Sequence, residues 1–318
     1  MTGSPQLCFV LGAPRSGTTW LQRLLASSPH VASPQETHLF DTYLQVQWLR
    51  WAKQEAYLAR ALDGVGGGQL EDRVIGLPTI LDEDDLVDSQ RVLVDRLVRR
   101  VLAMKPEARV VLEKTPSNSL CVTTIDRLCP DAQFLHIVRD PRDVMASLRD
   151  VAASWGGWAP DNAIDAAWMW RGHVNGARKA VAFGPRRYLE IRYEDLRADT
   201  AGVLATILSF LGLPDDPASL IAAHAEQDGT PFREVFAFRP DISKRLSSVP
   251  VREPAGFRSN GRRPLSPLAL HVADSILGAV ARGTGYTSGW PNGSLGSRAL
   301  RLGALVQRRL HRNPRFGR

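Results

Sequence analysis

The hydrophobic pattern of the chain alternates between short, uninterrupted apolar runs and longer stretches with helical periodicity. Short apolar runs bounded by Gly, Pro or polar residues are typical of buried strands. Such runs make up most of residues 7–11, 109–112 and 133–138, and residues 187–193 are interpreted as a further strand. Tens of residues separate one run from the next, which leaves room for a helix in each connection. The pattern therefore predicts crossover connections and a parallel sheet.

Apolar residues three or four positions apart predict helices between these strands. The apolar stripes are Leu21, Leu24 and Leu25; Leu93, Leu97, Val101 and Met104; Val144, Met145 and Leu148; and Ala167, Trp170, Val174, Ala177 and Val181. The acidic residues at 82–85 are expected at the start of the second helix, and Pro141 in the first turn of the third. We expect each stripe to face the core.

Composition adds few constraints. The chain has 318 residues, and its hydrophobic share of 44% is ordinary for a globular protein with a sizeable core. Its three cysteines, Cys8, Cys121 and Cys129, lack the spacing of a disulfide framework or a metal site, so reduced core thiols are expected. The sequence shows no signal peptide and no apolar run of the roughly 18 residues that cross a membrane. A cytoplasmic protein is therefore expected.

The net charge of +7 is unevenly distributed. Residues 297–318 contain seven arginines and no acidic residue, so this C-terminal tail accounts for the whole excess. The rest of the chain is close to neutral, which argues against nucleic-acid binding. Leu302, Leu305, Val306 and Leu310 lie among the arginines. The tail is therefore either a solvated segment or a basic amphipathic helix in peripheral contact with anionic lipid or an acidic partner.

A glycine-bearing loop separates the first predicted strand from the first predicted helix. Its sequence is Gly12-Ala13-Pro14-Arg15-Ser16-Gly17-Thr18-Thr19-Trp20. Backbone N–H groups in such a loop converge at the positive end of the following helix, which suits a phosphate. The spacing is close to that of the nucleotide loop G-x-x-x-x-G-K-[ST], but Thr18 replaces the lysine that reaches the β- and γ-phosphates of a triphosphate. Arg15 is the nearest available cation.

Polar residues also follow two other predicted strands. Glu113-Lys114-Thr115-Pro116 follows Leu112, and Arg139-Asp140-Pro141 follows Val138. In parallel sheets, ligands bind at the carboxyl ends of the strands. We therefore predict a three-layer, P-loop-like α/β fold, in which a central parallel sheet is flanked by helices and the site lies at this edge.

Several of these segments resemble the donor-binding motifs of sulfotransferases that use 3′-phosphoadenosine 5′-phosphosulfate (PAPS). Residues 14–20 look like the 5′-phosphosulfate loop of that family, and Arg139 with Ser147 resembles its 3′-phosphate site. Tyr193 lies in a segment similar to the strand end near the adenine, and residues 257–263 stand where the family has a basic loop over the nucleotide. The resemblance implies that PAPS is bound by Arg15, Ser16, Gly17, Thr18, Thr19, Trp20, Arg139, Ser147, Tyr193, Arg258 and Gly261. Trp20 and Tyr193 have a second interpretation, as core aromatic residues.

The acceptor side resembles the heparan sulfate sulfotransferases of the same family. Glu36-Thr37-His38-Leu39-Phe40-Asp41 and Glu113-Lys114-Thr115-Pro116 are similar to their paired motifs. By this resemblance, Glu36 is the general base and Lys114 lies beside the transferring sulfuryl group. Arg15 is expected to stabilise the departing phosphate, and His38 to orient the base or bind the acceptor. The aryl and steroid enzymes of the family have a histidine base in the sequence Lys-Thr-His. Here Pro116 stands at the position of that histidine.

The resemblance covers residues 7–263 and implies a PAPS-dependent O-sulfotransferase. The sulfuryl group would pass by in-line displacement, without a metal ion, to the hydroxyl of a carbohydrate, a glycolipid or another small-molecule alcohol. Residues 1–296 are predicted to form a single sulfotransferase domain, with acceptor cap loops within about residues 228–263 and the basic tail at 297–318.

Two other classes of function are compatible with single features. A P-loop nucleotide kinase or NTPase would share the glycine loop, but it needs a compensating lysine and an acidic magnesium ligand at a strand end. The predicted strand tips carry Lys114 and Arg139 instead. A non-catalytic nucleic-acid-binding protein is suggested only by the basic charge, which is confined to the tail.

Overall fold

The computed structural model describes residues 5–63, 76–154, 156–227, 241–242 and 265–286. The strands are β1 (Gln6–Leu11), β2 (Val31–Ala32), β3 (Val110–Glu113), β4 (Gln133–Val138) and β5 (Tyr188–Arg192). They form one parallel sheet in the order β2-β3-β1-β4-β5. The predicted parallel sheet is therefore confirmed, and the short edge strand β2 joins the strands that the apolar pattern indicated.

Helices cover both faces of the sheet. In the described residues they are α1 (Thr18–Ala26), α2 (Gln45–Leu62), α3 (Glu83–Met104), α4 (Val122–Leu128), α5 (Pro141–Ser154), α6 (Ala163–Ala177), α7 (Tyr193–Ala198), α8 (Thr200–Leu211), α9 (Pro217–Glu226) and α10 (Pro267–Gly283). Shorter elements are a π-helical turn at Leu39–Leu44 and 3₁₀ turns at Leu77–Thr79, Pro116–Leu120 and Arg178–Phe183. Each connection between consecutive strands contains a helix, as parallel pairing requires.

Strand β1 is buried on both sides, and its alternate residues belong to two separate cores. Phe9 and Leu11 pack on one face of the sheet with residues of α3 and α4. Cys8 and Val10 pack on the other face with residues of α1, α8 and α9. Because side chains alternate between the faces of a strand, one uninterrupted apolar run holds both helical layers. The predicted three-layer α/β fold is confirmed.

A third apolar cluster joins α5, α6 and α10 near the end of β4. Trp170 of this cluster is fully buried, and its indole N–H donates to the carbonyl oxygen of Arg139 at 3.0 Å. The hydroxyl of Tyr286, which follows α10, donates to the carbonyl oxygen of Val138 at 3.1 Å. These two bonds fix the direction in which the chain leaves β4, and hence the position of Arg139.

The apolar stripe predicted for α3 is not the face that this helix buries. The buried residues of α3 are Val87, Gln90, Val94, Val98 and Val101. Leu93 and Met104 are exposed, and Leu97 is only half-buried. The two stripes are adjacent on the helix and share Val101, so periodicity alone does not decide between them. Packing against the sheet selected the valine-rich stripe.

Other predicted boundaries shift by a few residues. Strand β3 ends at Glu113 rather than Leu112, and Tyr193 begins α7 instead of ending β5. The stripe of α6 is interrupted after Ala177, where a 3₁₀ turn follows, and Val181 is 55% exposed. A 3₁₀ helix has fewer residues per turn than an α-helix, so the change of helix type rotates Val181 away from the stripe. The stripes of α1 and α5 are buried as predicted.

Some predictions fall on residues outside the described part of the chain. These are the acceptor cap within 228–263, apart from residues 241–242, and the tail at 297–318. A single domain over residues 1–296 stays a prediction for the same reason. Within the described residues, no helix is long and apolar enough to cross a membrane.

A buried histidine links β4 to β5. His136 is fully buried, and its Nδ1 lies 2.8 Å from the Tyr188 hydroxyl and 3.2 Å from Glu190 Oε2. Arg178 donates to the same carboxylate at 2.6 and 2.8 Å. Burial lowers the pKa of His136 and outweighs the opposite effect of Glu190, and the charge of Arg178 lowers this pKa further. His136 is therefore neutral in the folded protein at neutral pH.

We expect the free energy of unfolding to fall as the pH drops below about 6.5, the ordinary histidine pKa in an unfolded chain. The unfolded chain then binds a proton that the folded His136 does not, so acid favours unfolding. Urea denaturation between about pH 7.5 and about pH 5.5 measures this slope before most carboxylates titrate. His136→Gln should reduce the slope. The part due to His173, whose pKa burial also lowers, should remain. An unchanged slope in His136→Gln would contradict a neutral buried His136.

Candidate active site

The loop between β1 and α1 passes close to two neighbouring elements. The Gly12 N–H donates to Ser119 Oγ at 2.9 Å. A Cβ atom on Gly12 would lie 2.7 Å from the carbonyl oxygen of Ile137, so no larger residue fits beside β4. Helix α1 begins at Thr18, and no side chain caps it. The first N–H groups of this helix are therefore suited to bind an anion.

Gly17 allows Tyr193 to pack directly on this loop. Its φ of +96° is a left-handed conformation that favours glycine. A Cβ atom on Gly17 would lie 2.5 Å from Cδ2 of the Tyr193 ring. The Tyr193 ring centroid is 5.7 Å from that of Trp20, and the Arg139 guanidinium lies 4.2 Å from the Tyr193 ring. The structure thus brings together Trp20, Tyr193 and Arg139, three of the residues predicted to bind the donor.

The two predicted phosphate motifs meet through Arg15. Its Nε donates to Ser147 Oγ at 3.1 Å, and its carbonyl oxygen accepts from Arg139 at 3.4 Å. Arg139 also forms an ion pair with Asp143 at 3.1 Å. The φ of Arg15 is +73°, an uncommon value for a non-glycine residue, and such conformations concentrate at functional sites. The ends of β1 and β4 therefore place two guanidinium groups in one region.

The hydroxyl groups of the loop have different surroundings. Ser16 and Thr18 are both buried, and Ser16 Oγ has no hydrogen-bond partner among the described residues. The Nε of the buried Arg139 also lacks a partner there. Thr19 Oγ1 accepts from Lys114 Nζ at 3.2 Å. Lys114 therefore connects the loop after β1 to the end of β3.

Lys114 also forms an ion pair with Glu36, the predicted general base. The Lys114 side chain is 3% exposed, whereas that of Glu36 is 37% exposed. Lys114 directly follows β3, and Glu36 lies in the segment after β2. Because β2 and β3 are adjacent parallel strands, their carboxyl ends bring these side chains together. A nearly buried cation thus holds a carboxylate that solvent and small molecules can reach.

His38 lies beside the same carboxylate. Its Nε2 is 3.7 Å from Glu36 Oε2, and its Nδ1 is 3.0 Å from Asp41 Oδ2. Its φ is +52°, so that His38 and Arg15 are the two non-glycine residues with positive φ in the described part of the chain. Both of these backbone conformations occur in segments that the sequence assigned to the site.

Glu113 is a buried carboxylate to which the sequence motifs assigned no role. It is 3% exposed and accepts from the hydroxyls of Thr37 at 2.8 Å and Thr115 at 2.7 Å, and from the amide of Asn118. Burial raises the pKa of Glu113, and the bonds from Thr115 and Thr37 and the charge of Lys114 oppose that rise. Thr37 stands between Glu36 and His38 in the chain. The buried carboxylate therefore fastens the segment of the predicted base to the end of β3.

One signal in the sequence pointed to this role. Glu113 ends an otherwise apolar strand, and a buried charge at such a place requires hydrogen-bond donors nearby. The donors are Thr115, two residues later, and Thr37, far away in the chain. Sequence alone does not show that Thr37 is close. Arg258 and Gly261, the remaining predicted donor-binding residues, lie outside the described residues.

The arrangement supplies two chemical capacities side by side. The N-terminus of α1 with Arg15, Lys114 and Arg139 attracts anionic groups, and guanidinium groups in particular suit phosphate. Glu36 supplies a carboxylate that can accept a proton. The fold and these side chains define an α/β protein whose charged residues gather at the carboxyl ends of a parallel sheet.

The chain belongs to the sulfotransferase family. The model of the family described as "Sulfotransferase family" matches residues 7–217, which include β2 to β5, all of β1 but its first residue, and every described residue of the predicted site. The sulfotransferase family predicted from the sequence motifs is therefore confirmed.

Individual known proteins are similar over part of their length. The nodulation protein NoeE of Sinorhizobium fredii is 28% identical over 152 residues, which make up 48% of this chain and 32% of that protein. A putative protein-tyrosine sulfotransferase of Caenorhabditis briggsae is 25% identical over 211 residues, 65% of this chain and 66% of that protein. The matched segments therefore span less than two thirds of each relative. Among solved structures, the sulfotransferase domain from the curacin biosynthetic pathway is 19% identical, with a TM-score of 0.47 over 89% of this chain and 98% of that domain.

Replacing Glu113 tests the buried carboxylate cluster. Glu113→Gln puts an NH₂ group where several donors already converge, so at least one buried group loses its partner. We expect the free energy of unfolding to fall by about 1–3 kcal/mol. Urea denaturation measures the difference, and Glu107→Gln, at an exposed acid before β3, should change it by less than about 0.5 kcal/mol. Equal stability of the two variants would contradict the role of Glu113.

Proposed function

We propose that this protein is a PAPS-dependent O-sulfotransferase with Glu36 as its general base. The observation that carries the proposal is the position of Lys114. Its ammonium group lies within hydrogen-bond distance of both Thr19, in the loop after β1, and Glu36. A group held by the loop would therefore lie next to a carboxylate and a cation, which is the arrangement that transfer to a hydroxyl requires.

The residues present fit a donor with two phosphate groups. The loop after β1 and the uncapped start of α1 suit a 5′-phosphosulfate. Arg139 and Ser147 suit a 3′-phosphate, and Arg15 connects the two places through its bond to Ser147. Ser16 Oγ and Arg139 Nε are buried polar atoms without a protein partner in the described chain, so hydrogen-bonding capacity remains for a ligand.

The proposed step is an in-line displacement. The acceptor oxygen forms a bond to sulfur while the bond between sulfur and the bridging phosphate oxygen breaks, and the acceptor proton passes to Glu36. The products are a sulfate ester and adenosine 3′,5′-bisphosphate. Negative charge grows on the departing phosphate, where Lys114 and Arg15 are positioned to stabilise it. His38, 3.7 Å from Glu36, is proposed to orient the base or to contact the acceptor.

The same residues argue against transfer from a nucleoside triphosphate. Thr18 stands where the nucleotide loop has its lysine. The described ends of β3 and β4 carry the cations Lys114 and Arg139. Of the acids there, Glu113 is buried and accepts from three side-chain donors, and Asp140 is paired with Arg142. A magnesium ligand at a strand end would have to be free of such partners. The charge at the strand ends therefore suits a donor that needs no magnesium.

The acceptor hydroxyl is proposed to belong to a small-molecule alcohol, a carbohydrate or a glycolipid. A phenolic hydroxyl belongs in the same screen, because one relative is named as a putative protein-tyrosine sulfotransferase. Incubation with PAPS labelled in the sulfuryl group, followed by mass spectrometry of the products, identifies the acceptor among them.

Glu36→Gln tests the general base. The amide keeps the size of the side chain but does not accept the proton, so we expect kcat to fall by roughly 10²–10⁴-fold. The affinity for adenosine 3′,5′-bisphosphate should stay within about twofold, because the donor is held by other residues. Glu55→Gln, at an exposed acid of α2, serves as the matched control and should be as active as the wild type. Full activity in Glu36→Gln would exclude Glu36 as the base.

Arg139→Lys tests the second phosphate site. Lysine keeps the charge but loses the planar fork, so binding of adenosine 3′,5′-bisphosphate should weaken by about tenfold. Binding of adenosine 5′-phosphate, which lacks the 3′-phosphate, should change much less. Arg142→Lys is the control. Arg142 lies three residues after Arg139 and forms an ion pair with Asp140. Calorimetry measures the affinity of the wild type and of both variants for each nucleotide. Tighter binding of ATP with magnesium than of the bisphosphate by the wild-type protein would overturn the proposed donor.

A further inference from the structure

The segment that carries Glu36 leaves the sheet after a very short strand. Strand β2 has two residues and pairs with β3 at the edge of the described sheet. Its last residue, Ala32, is followed by Ser33 and Pro34. Proline has no N–H group, so Pro34 cannot donate to β3 and extend the ladder of backbone bonds. The position of Glu36 therefore depends on contacts other than that ladder.

Gln22 of α1 supplies two of these contacts. It is 1% exposed, and its Nε2 donates to Ser33 Oγ at 2.8 Å and to the carbonyl oxygen of Pro34 at 2.9 Å. A carbonyl oxygen only accepts, so the side chain must turn its NH₂ group, and not its oxygen, toward Pro34. Both hydrogens of this buried NH₂ group thus bind the segment that leads to Glu36.

Ser33 extends this link from α1 to β3. A hydroxyl group has a single hydrogen. Ser33 Oγ lies 2.7 Å from the carbonyl oxygen of Leu112 and 3.4 Å from that of Pro34, so the hydrogen belongs to the shorter bond. The carbonyl of Pro34 is therefore left to Gln22. Leu112 stands two residues before Lys114, so the same chain of bonds reaches the strand end that carries the buried cation.

A second anchor follows Glu36 directly. The hydroxyl of Thr37 donates to the buried carboxylate of Glu113 at 2.8 Å. Gln35 and Glu36 are thus the two residues between a bonded Pro34 and a bonded Thr37. A span of two residues with both ends fixed leaves the backbone little freedom, which is how a reacting side chain is held in a productive position.

Gln22 also connects the predicted base to the donor loop. It lies four residues, about one helical turn, after Thr18, where α1 begins. The first N–H groups of the same helix are suited to bind the donor phosphate. One side chain of a rigid helix thus fixes the segment of Glu36 relative to the place proposed for the donor.

We propose that Gln22 is a positioning residue for the general base. Its amide holds residues 33–36 so that the carboxylate of Glu36 stays beside Lys114 and the donor loop. Gln22 acts through Glu36 and not through contact with the reacting atoms. Without the amide, the carbonyl of Pro34 loses its donor, and the segment is free to carry Glu36 away from Lys114. The inference rests on the proposed function, because it concerns the base of that reaction.

Gln22→Met in the full chain tests the proposal, because methionine has a similar length and flexibility but no donor. Gln133→Met is the matched control. The amide of Gln133 also donates to two oxygen atoms, the carbonyls of Arg186 at 3.1 Å and Phe210 at 2.8 Å. Gln133 begins β4, so it lies at the opposite edge of the sheet. Both variants lose two hydrogen bonds and should lose stability, so stability alone does not distinguish them.

The first measurement is the coupling between Glu36 and Lys114, which needs no acceptor. Urea denaturation of Glu36→Gln, Lys114→Met and the double variant gives this coupling as a double-mutant cycle. The cycle is repeated in the Gln22→Met and Gln133→Met backgrounds. The coupling should fall to less than about half of its wild-type value in Gln22→Met and stay unchanged in Gln133→Met. Ser33→Ala, a milder change in the same chain of bonds, should lower the coupling too and serves if Gln22→Met does not fold.

The second measurement is sulfuryl transfer from labelled PAPS, with 1-hexanol and phenol as acceptor probes. At saturating PAPS, the rate of transfer by Gln22→Met should fall by about 10–100-fold, because a displaced base no longer meets the hydroxyl. Calorimetry should show the affinity for adenosine 3′,5′-bisphosphate within about twofold of the wild type. Gln133→Met should match the wild type in both measurements.

Two outcomes would overturn the proposal. One is an unchanged coupling between Glu36 and Lys114 in both Gln22→Met and Ser33→Ala. The other is an affinity for the bisphosphate that falls as far as the rate of transfer, since Gln22 would then support the donor loop and not the base. The proposed function fails separately. A wild type that neither binds the bisphosphate nor transfers the sulfuryl group would overturn that function, while a lowered coupling in Gln22→Met would still show that Gln22 holds Glu36 beside Lys114.

Discussion

The backbone pairing of β1 with β3 on one side and β4 on the other is the constraint on which the candidate site depends. Parallel strands present their carboxyl ends at one edge, so this pairing brings the ends of three distant segments together. The loop after β1 receives Lys114 from the end of β3 and Arg139 from the end of β4. β1 is able to take the central place because apolar side chains on both of its faces hold a helical layer.

Charge at this edge is arranged in two levels. The buried level consists of Lys114, Arg139 and Glu113, each of which has polar partners within the protein. The accessible level consists of Glu36 and His38, which solvent reaches. Buried charges with fixed partners do not need to reorganise when a ligand binds, which is the condition under which they stabilise developing charge most effectively. The proposed general base thus belongs to the accessible level.

The hydrophobic pattern of the sequence predicted much of the fold, but it did not predict which side of α3 is buried. Leucines at 93 and 97 and valines at 94 and 98 give this helix two adjacent apolar stripes. Only the position of the sheet decides which stripe is buried, and it buries the valines. The leucines are then left facing the segment of the predicted base, where they line a groove. Leu93 and Leu97, which the pattern assigned to the core, thus line a groove at the surface.

The sequence by itself determined four of the five described strands, the glycine loop and the charged residues after β3 and β4, because these depend on neighbours close in the chain. It also determined the family, since the motifs are local. Only the tertiary structure decided that Glu113 is held by Thr37, that Gly17 must be small because the Tyr193 ring lies against it, and that Lys114 touches both Thr19 and Glu36. Each of these contacts joins residues far apart in the chain. Their formation depends on strand order and helix packing, which local propensity and spacing do not encode.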